Sequence, residues 1–139
     1  MNLSRRDALI LGAGAVVTSF LPFQAFAAAV DDQIAEFTGG AEIGEGGITL
    51  TAPEIAENGN TVPIEVSAPG AVSITVLAAG NPTPGVATFN FGPLAGSQAA
   101  ATRIRLAGTQ DVIAIAKMPD GSFTQAKSTV KVTIGGCGG

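Results

Sequence analysis

The 139-residue sequence predicts an all-β sandwich of about seven strands, entered by a short helix and left by a flexible tail. Three observations predict it. From Gly47 onward, short runs rich in apolar and β-branched residues recur at regular intervals. Turn chemistry separates them: Glu57-Asn58-Gly59-Asn60, Pro69-Gly70, Gly80-Asn81-Pro82, Gly92-Pro93, Gly108-Thr109 and Pro119-Asp120-Gly121. Within several runs apolar and polar residues alternate, which is the period of a strand with one face in a core.

In chain order, Asp31 to Phe37 reads as one short helix, with Asp31 and Asp32 favourable at its start and Gly39-Gly40 ending it. Ile34 and Phe37 then share a face. Ile48 to Ala52 is the first expected strand, and Thr61 to Ser67 the second. Pro63 lacks an N–H for the ladder, so that second strand is expected at an edge or with a bulge. In Val72 to Ala78, the residues Val72, Ile74 and Val76 point one way, and Ser73 and Thr75 the other. The stretch from Asn81 to Gly85 reads as a plain connection to the strand Val86 to Phe91. In Arg103 to Leu106, Ile104 and Leu106 oppose Arg103 and Arg105. Within Asp111 to Met118, the run Val112 to Ala116 is apolar on both faces, as expected of a central strand or of one covered by another subunit. The last strand, Phe123 to Ile134, is expected to bury Val130, Val132 and Ile134 while Lys131 and Thr133 face water. An immunoglobulin-like sandwich is the default arrangement for such a set, although a single cysteine precludes the usual inter-sheet disulfide and the core tryptophan is absent.

The N-terminus reads as an export signal. Ser4-Arg5-Arg6-Asp7 is followed by a stretch without charge, Ala8 to Ala29, that ends in the small-residue run Ala25-Phe26-Ala27-Ala28. A retained membrane anchor is the competing reading, given a length near the roughly 20 apolar residues that span a bilayer. Gly12, Gly14, Pro22 and the peptidase-like site favour cleavage near Ala27, and so no stable anchor. Arg5 and Arg6 resemble the twin-arginine signal, which serves export of folded proteins, though Ala8 and Ile10 depart from its usual pattern. The expected organisation is therefore a signal at 1–27, a sandwich at 28–134 and a mobile glycine-rich tail at 135–139, with the mature domain in the periplasm.

Loss of residues 1–27 removes Arg5, Arg6 and Asp7, leaving 5 basic and 10 acidic residues and a net charge of −5. An acidic domain without a basic cluster is a poor partner for nucleic acid. Charged residues are 13% of the chain, against about 25% in typical proteins, so part of the surface is expected to lie against a partner. The chain has no histidine, tryptophan or tyrosine, which removes Ser-His and Cys-His nucleophile systems and the commonest metal ligand. No acid/base pair is singled out by spacing, and Gly39-Gly40 and Gly46-Gly47 lack the context of a phosphate loop. Asp31-Asp32 is read as a solvated helix start rather than a cation site. No metal, no cofactor and no catalytic activity of its own are expected.

That leaves Cys137, the one cysteine, set between Gly135-Gly136 and Gly138-Gly139. Glycines have no side chains to pack and lose the most entropy on ordering, so the tail is expected to be exposed and mobile. Counting from Ile134, three residues carry the thiol roughly 10 Å beyond the sheet. A backbone free of β-carbons is also thin enough to enter a narrow channel in another protein. Lys131 is the nearest cation in sequence, so nothing local activates the thiol. An exposed, mobile, unactivated thiol suits modification by other proteins. A cysteine third from the end does not make a prenylation box; an intermolecular disulfide on a non-catalytic binding module stays open as the alternative, but the four glycines then need another reason. Ubiquitin-like sulfur carriers also end in Gly-Gly, but on cytosolic β-grasp domains.

The GGCGG terminus, on an exported and cysteine-poor β domain behind an arginine pair, resembles the SoxY family, sulfur-carrier subunits of the periplasmic thiosulfate-oxidising (Sox) system. The resemblance runs through the signal, the short helical entry, the stretch APEIAENGNTVPIEV at Ala52 to Val66, the sandwich, and Gly135 to Gly139. It implies that Cys137 is loaded with thiosulfate by a haem-containing cytochrome, giving a cysteine S-thiosulfonate. A hydrolase then releases sulfate, and a sulfur dehydrogenase oxidises the remaining sulfane before a second hydrolysis. It also implies pairing with a second small β subunit, SoxZ, with which sparse charge and the doubly apolar run agree. Two other classes stay open: a periplasmic binding module with a dispensable tail, and an enzyme that uses Cys137 directly.

Overall fold

A computed structural model describes residues 22–135. Helix α1 (Pro22–Thr38) is followed by nine strands: β1 (Ile43–Glu45), β2 (Thr49–Thr51), β3 (Ile55–Ala56), β4 (Val62–Ser67), β5 (Ser73–Ala78), β6 (Gly85–Asn90), β7 (Ala99–Ile104), β8 (Gln110–Lys117) and β9 (Phe123–Val132). They form two sheets. The larger has the order β1-β9-β8-β5-β6, with β3 also on β9, and the smaller the order β2-β4-β7. The expected sandwich is the observed architecture, and the seven expected runs are β2 and β4–β9, with ends moved by a few residues.

Two apolar layers hold it together. Between the sheets, Val62, Ile64, Val66, Ile74, Val76, Ile104, Leu106, Val112 and Val130 are buried. On the far side of the large sheet, α1 lays Val30, Ile34 and Phe37 against Leu77, Ile113, Ile115 and Phe123. The two layers explain why β8 is apolar on both faces. Val112, Ala114 and Ala116 point into the sandwich, Ile113 and Ile115 point under the helix, and β8 lies between β5 and β9. The chain's own helix covers this strand, so the run is no sign of another subunit.

The helix is longer than the sequence suggests, starting at Pro22 and running through Ala27 instead of beginning at Asp31. Asp31 and Asp32 therefore sit exposed in mid-helix, where no helix-start charge effect applies. Gly39 and Gly40 do end it, with φ values of 66° and 81° that other residues resist. The strands β1 and β3, of three and two residues, carry no readable pattern. Both pair in parallel with β9, β1 against Phe123–Gln125 and β3 against Lys131–Val132, so they occupy one edge of that strand in succession.

Pro63 lies in β4, the middle strand of the small sheet, yet β2 reaches only Glu65–Ser67. At Pro63 the strand has β7 alone as a neighbour, so the proline occupies a local edge. Ser73 and Thr75 do oppose Ile74 and Val76, but they too are buried, and the Thr75 and Thr88 hydroxyls lie 2.7 Å apart in a hydrogen bond.

The β8–β9 hairpin turns on Gly121, at φ 84°. Asp120 Oδ1 accepts bonds from the Ser122 hydroxyl at 2.6 Å and from its backbone N–H at 2.9 Å. The hydroxyl bond first, then the backbone bond, hold this carboxyl below the ordinary carboxylate range. A lowered folded value means that the contribution is complete at neutral pH and fades as pH falls through the folded value. Amide protection at Ser122 and Phe123, taken relative to the intrinsic exchange rate at each pH, is therefore expected to fall on acidification, and Asp120→Asn to remove that pH dependence while leaving the core amides protected.

Candidate functional site

The expected site residues fall mostly outside the described residues: Arg5, Arg6, Gly136, Cys137, Gly138 and Gly139 lie there, and Gly135 is the last described. What the structure defines is the root from which the tail departs.

That root is built from three segments. Strand β9 ends at Val132, but the chain stays tethered beyond it. On one side lies the segment following β3. Thr133 N–H donates to the Ala56 carbonyl at 3.1 Å, the Thr133 hydroxyl donates to the Glu57 carbonyl at 3.0 Å, and Gly59 N–H donates to the Ile134 carbonyl at 2.7 Å. On the other side lies the β7–β8 turn. Leu106 N–H donates to the Gly59 carbonyl at 2.7 Å, and Val132 N–H donates to the Thr109 hydroxyl at 3.0 Å. Gly135 then meets the backbone of Ala107 so closely that a β-carbon there would collide with the Ala107 carbonyl oxygen. The first tail glycine is thus set by a close approach as well as by any need for freedom.

Ile134 departs from expectation. Alternation predicts burial beside Val130 and Val132, whereas it is 67% exposed. Its carbonyl is satisfied by Gly59, but the residue lies two positions beyond the end of β9, where the alternation of the strand no longer holds. Ile55, on the neighbouring β3, is also exposed.

The turn against Gly135 depends on two residues that the sequence reading passes over. Asn81 and Gln110 are 3% and 8% exposed. Asn81 reads as part of a plain connection, yet its side chain bonds across to the β7–β8 turn. The only local signal is a pair of amides flanking apolar runs, which sequence alone cannot match to each other.

Elsewhere little chemistry converges. Among the described residues no three His, Cys, Asp or Glu side chains approach closely enough to hold a metal, and no helix is long and apolar enough to cross a membrane. A groove of about 650 Å³ runs between α1 and the β5–β6 hairpin, lined by Gln33, Phe37, Thr75, Thr88 and Lys117 among others. It is open, and it sits on the helix side of the large sheet rather than at the root.

Comparison with known proteins gives three findings. The family model described as sulfur oxidation protein SoxY matches residues 34–137, from the helix through the cysteine. The solved structure of the sulfur carrier protein SoxY from Chlorobium limicola f thiosulfatophilum is 37% identical, covering 78% of this chain and 99% of that one, with a TM-score of 0.68. A superoxide reductase (neelaredoxin) from Ignicoccus hospitalis, 17% identical over 63% of this chain and 80% of that one, has a TM-score of 0.55 and shares the fold alone. No curated protein matches.

Proposed function

The chain belongs to the SoxY family of sulfur oxidation proteins, and from that premise we propose that Cys137 carries the sulfur intermediates of thiosulfate oxidation between partner enzymes. One observation carries the reading: the family match extends to the sole cysteine, which follows a root that the fold holds at the surface.

The chemistry needs nothing from this chain but a thiol and access to it. Oxidative coupling of the Cys137 thiolate to the sulfane sulfur of thiosulfate forms an S–S bond and releases two electrons, which the haem-containing cytochrome accepts. Water then attacks the sulfonate sulfur at a hydrolase, giving sulfate and leaving a persulfide on Cys137. A sulfur dehydrogenase takes six electrons from that terminal sulfur, with oxygen from water, and a second hydrolysis returns the thiol. Each step takes place in a different protein, so the carrier's task is delivery. A tail whose β-carbons are absent on both sides of the cysteine fits a narrow entry, and roughly 10 Å of reach from Ile134 lets the thiol pass the surface of its own domain.

The arginine pair Arg5-Arg6 supports a periplasmic location, and the folded-export route it resembles suits a carrier that crosses together with its SoxZ subunit. Removal of residues 1–27, then a sandwich and a five-residue tail, is the organisation that follows.

Intact mass spectrometry of protein isolated from cells consuming thiosulfate tests the proposal. Adducts of thiosulfonate, sulfane or sulfonate type, confined to Cys137 and removed by a reductant, are expected. Unmodified protein throughout active consumption, or a simple disulfide dimer as the sole modified form, overturns it.

A further inference from the structure

We propose that Asn81 and Gln110 are positioning residues for the carrier tail: their buried hydrogen-bond cluster holds the β7–β8 turn whose Ala107 carbonyl abuts Gly135, and so sets where the tail leaves the fold. The inference rests on the carrier reading for its purpose, though not for its geometry.

Every side-chain nitrogen and oxygen of the two amides has a partner. Asn81 Nδ2 donates to the Arg105 carbonyl at 2.8 Å, and Asn81 Oδ1 accepts from Ala107 N–H at 2.9 Å and from Gln110 Nε2 at 2.8 Å. Gln110 Nε2 also donates to the Gly108 carbonyl at 3.0 Å, and its Oε1 accepts from Gly80 N–H at 2.9 Å. Two neighbouring turns are thereby locked together, and backbone groups at Arg105, Ala107 and Gly108 are held by side chains instead of by water. Gly80 makes room for this: a β-carbon there would come within 2.9 Å of Gln110 Cβ.

Burying two amides brings no hydrophobic gain, and it costs stability wherever a partner is missing. The apolar core already anchors this end of the sandwich through Ile104, Leu106 and Val112. What the amides add is a fixed turn, and the face of that turn carrying the Ala107 carbonyl is the one Gly135 packs on. The Leu106–Gly59–Ile134 bonds close the same ring from the opposite side. A cargo tethered three residues from Ile134 reaches partner sites only from a suitable exit point. A displaced exit point shifts the volume the tethered thiol samples, and so lowers its effective concentration at a partner's site.

The sole cysteine allows a direct test. A nitroxide on Cys137 and a second on Lys127→Cys, an exposed position on β9, report the spread of tail positions by pulsed dipolar spectroscopy. Asn81→Ala and Gln110→Ala are expected to broaden and shift that distance distribution. Gly135→Ala, which leaves both amides intact and is the variant to rely on if either alanine mutant fails to fold, is expected to shift it as well. In parallel, without the second label, thiosulfate loading by the cytochrome is expected to slow roughly 10- to 100-fold, while labelling of Cys137 by a small aromatic disulfide is unchanged. A distance distribution unaltered in folded variants overturns the proposal. If distances shift as expected but wild-type protein is never loaded, the carrier reading falls and the positioning role stands.

Discussion

Cys137→Ser is expected to abolish every thiosulfate-dependent mass adduct and to leave the unfolding transition where it is in the wild type. The first half follows from composition: there is no second thiol and no histidine to take over. An alcohol at this position lacks the low-energy oxidation that couples a thiolate to a sulfane, so the loss is complete rather than partial. The second half follows from the fold, whose two apolar layers lie within residues 30–132 and make no use of the tail. Thermal unfolding and intact mass on the same sample check both. Residual adducts would move the carrier site elsewhere, and wild-type loading by the serine variant would reduce the tail to an ornament of a binding module.

Phe123→Ala is expected to destabilise the fold by about 3–5 kcal/mol, a large part of the roughly 5–15 kcal/mol that holds an ordinary domain together. Phe123 opens β9, is 6% exposed, and meets Phe37 of the helix edge-to-face with ring centroids 5.6 Å apart and planes 70° apart. Its ring lies among Leu77, Ile113 and Ile115, so truncation leaves a cavity at the junction of helix and sheet. Phe37→Ala should cost less, because Phe37 is only half-buried. Urea titration measures both, and binding of a hydrophobic dye should rise in the weaker variant as Ile113 and Ile115 become accessible. A cost for Phe123→Ala below about 1 kcal/mol would mean that the helix does not seal this face. The two substitutions test whether stability and cargo attachment reside in independent parts of the molecule.

Much of the candidate site was legible before any fold was known, because its information is chemical. One cysteine, four flanking glycines and no histidine point to Cys137 as the candidate group at the chain's end. The root was not legible. Asn81 and Gln110 are 29 residues apart in sequence, and neither has a local pattern that names the other. Gly135 looks like its neighbour Gly136 in the sequence, but its contact with Ala107 depends on a turn formed elsewhere.

By itself the sequence determined the strand-rich class, the seven main runs, the opposed faces of β7 and the inward side of Ile74 and Val76 in β5, although Val72, expected beside them, is exposed. Alternation, turn residues and reactive groups are properties of neighbours along the chain, and they survive reading one segment at a time. Only the tertiary structure decided that β1 and β3 share one edge of β9, that Ile134 lies beyond the core, and that α1 rather than another subunit covers Ile113 and Ile115. Each of those outcomes depends on which distant segments come to lie together, and burial is a property of the assembled whole that no local period encodes.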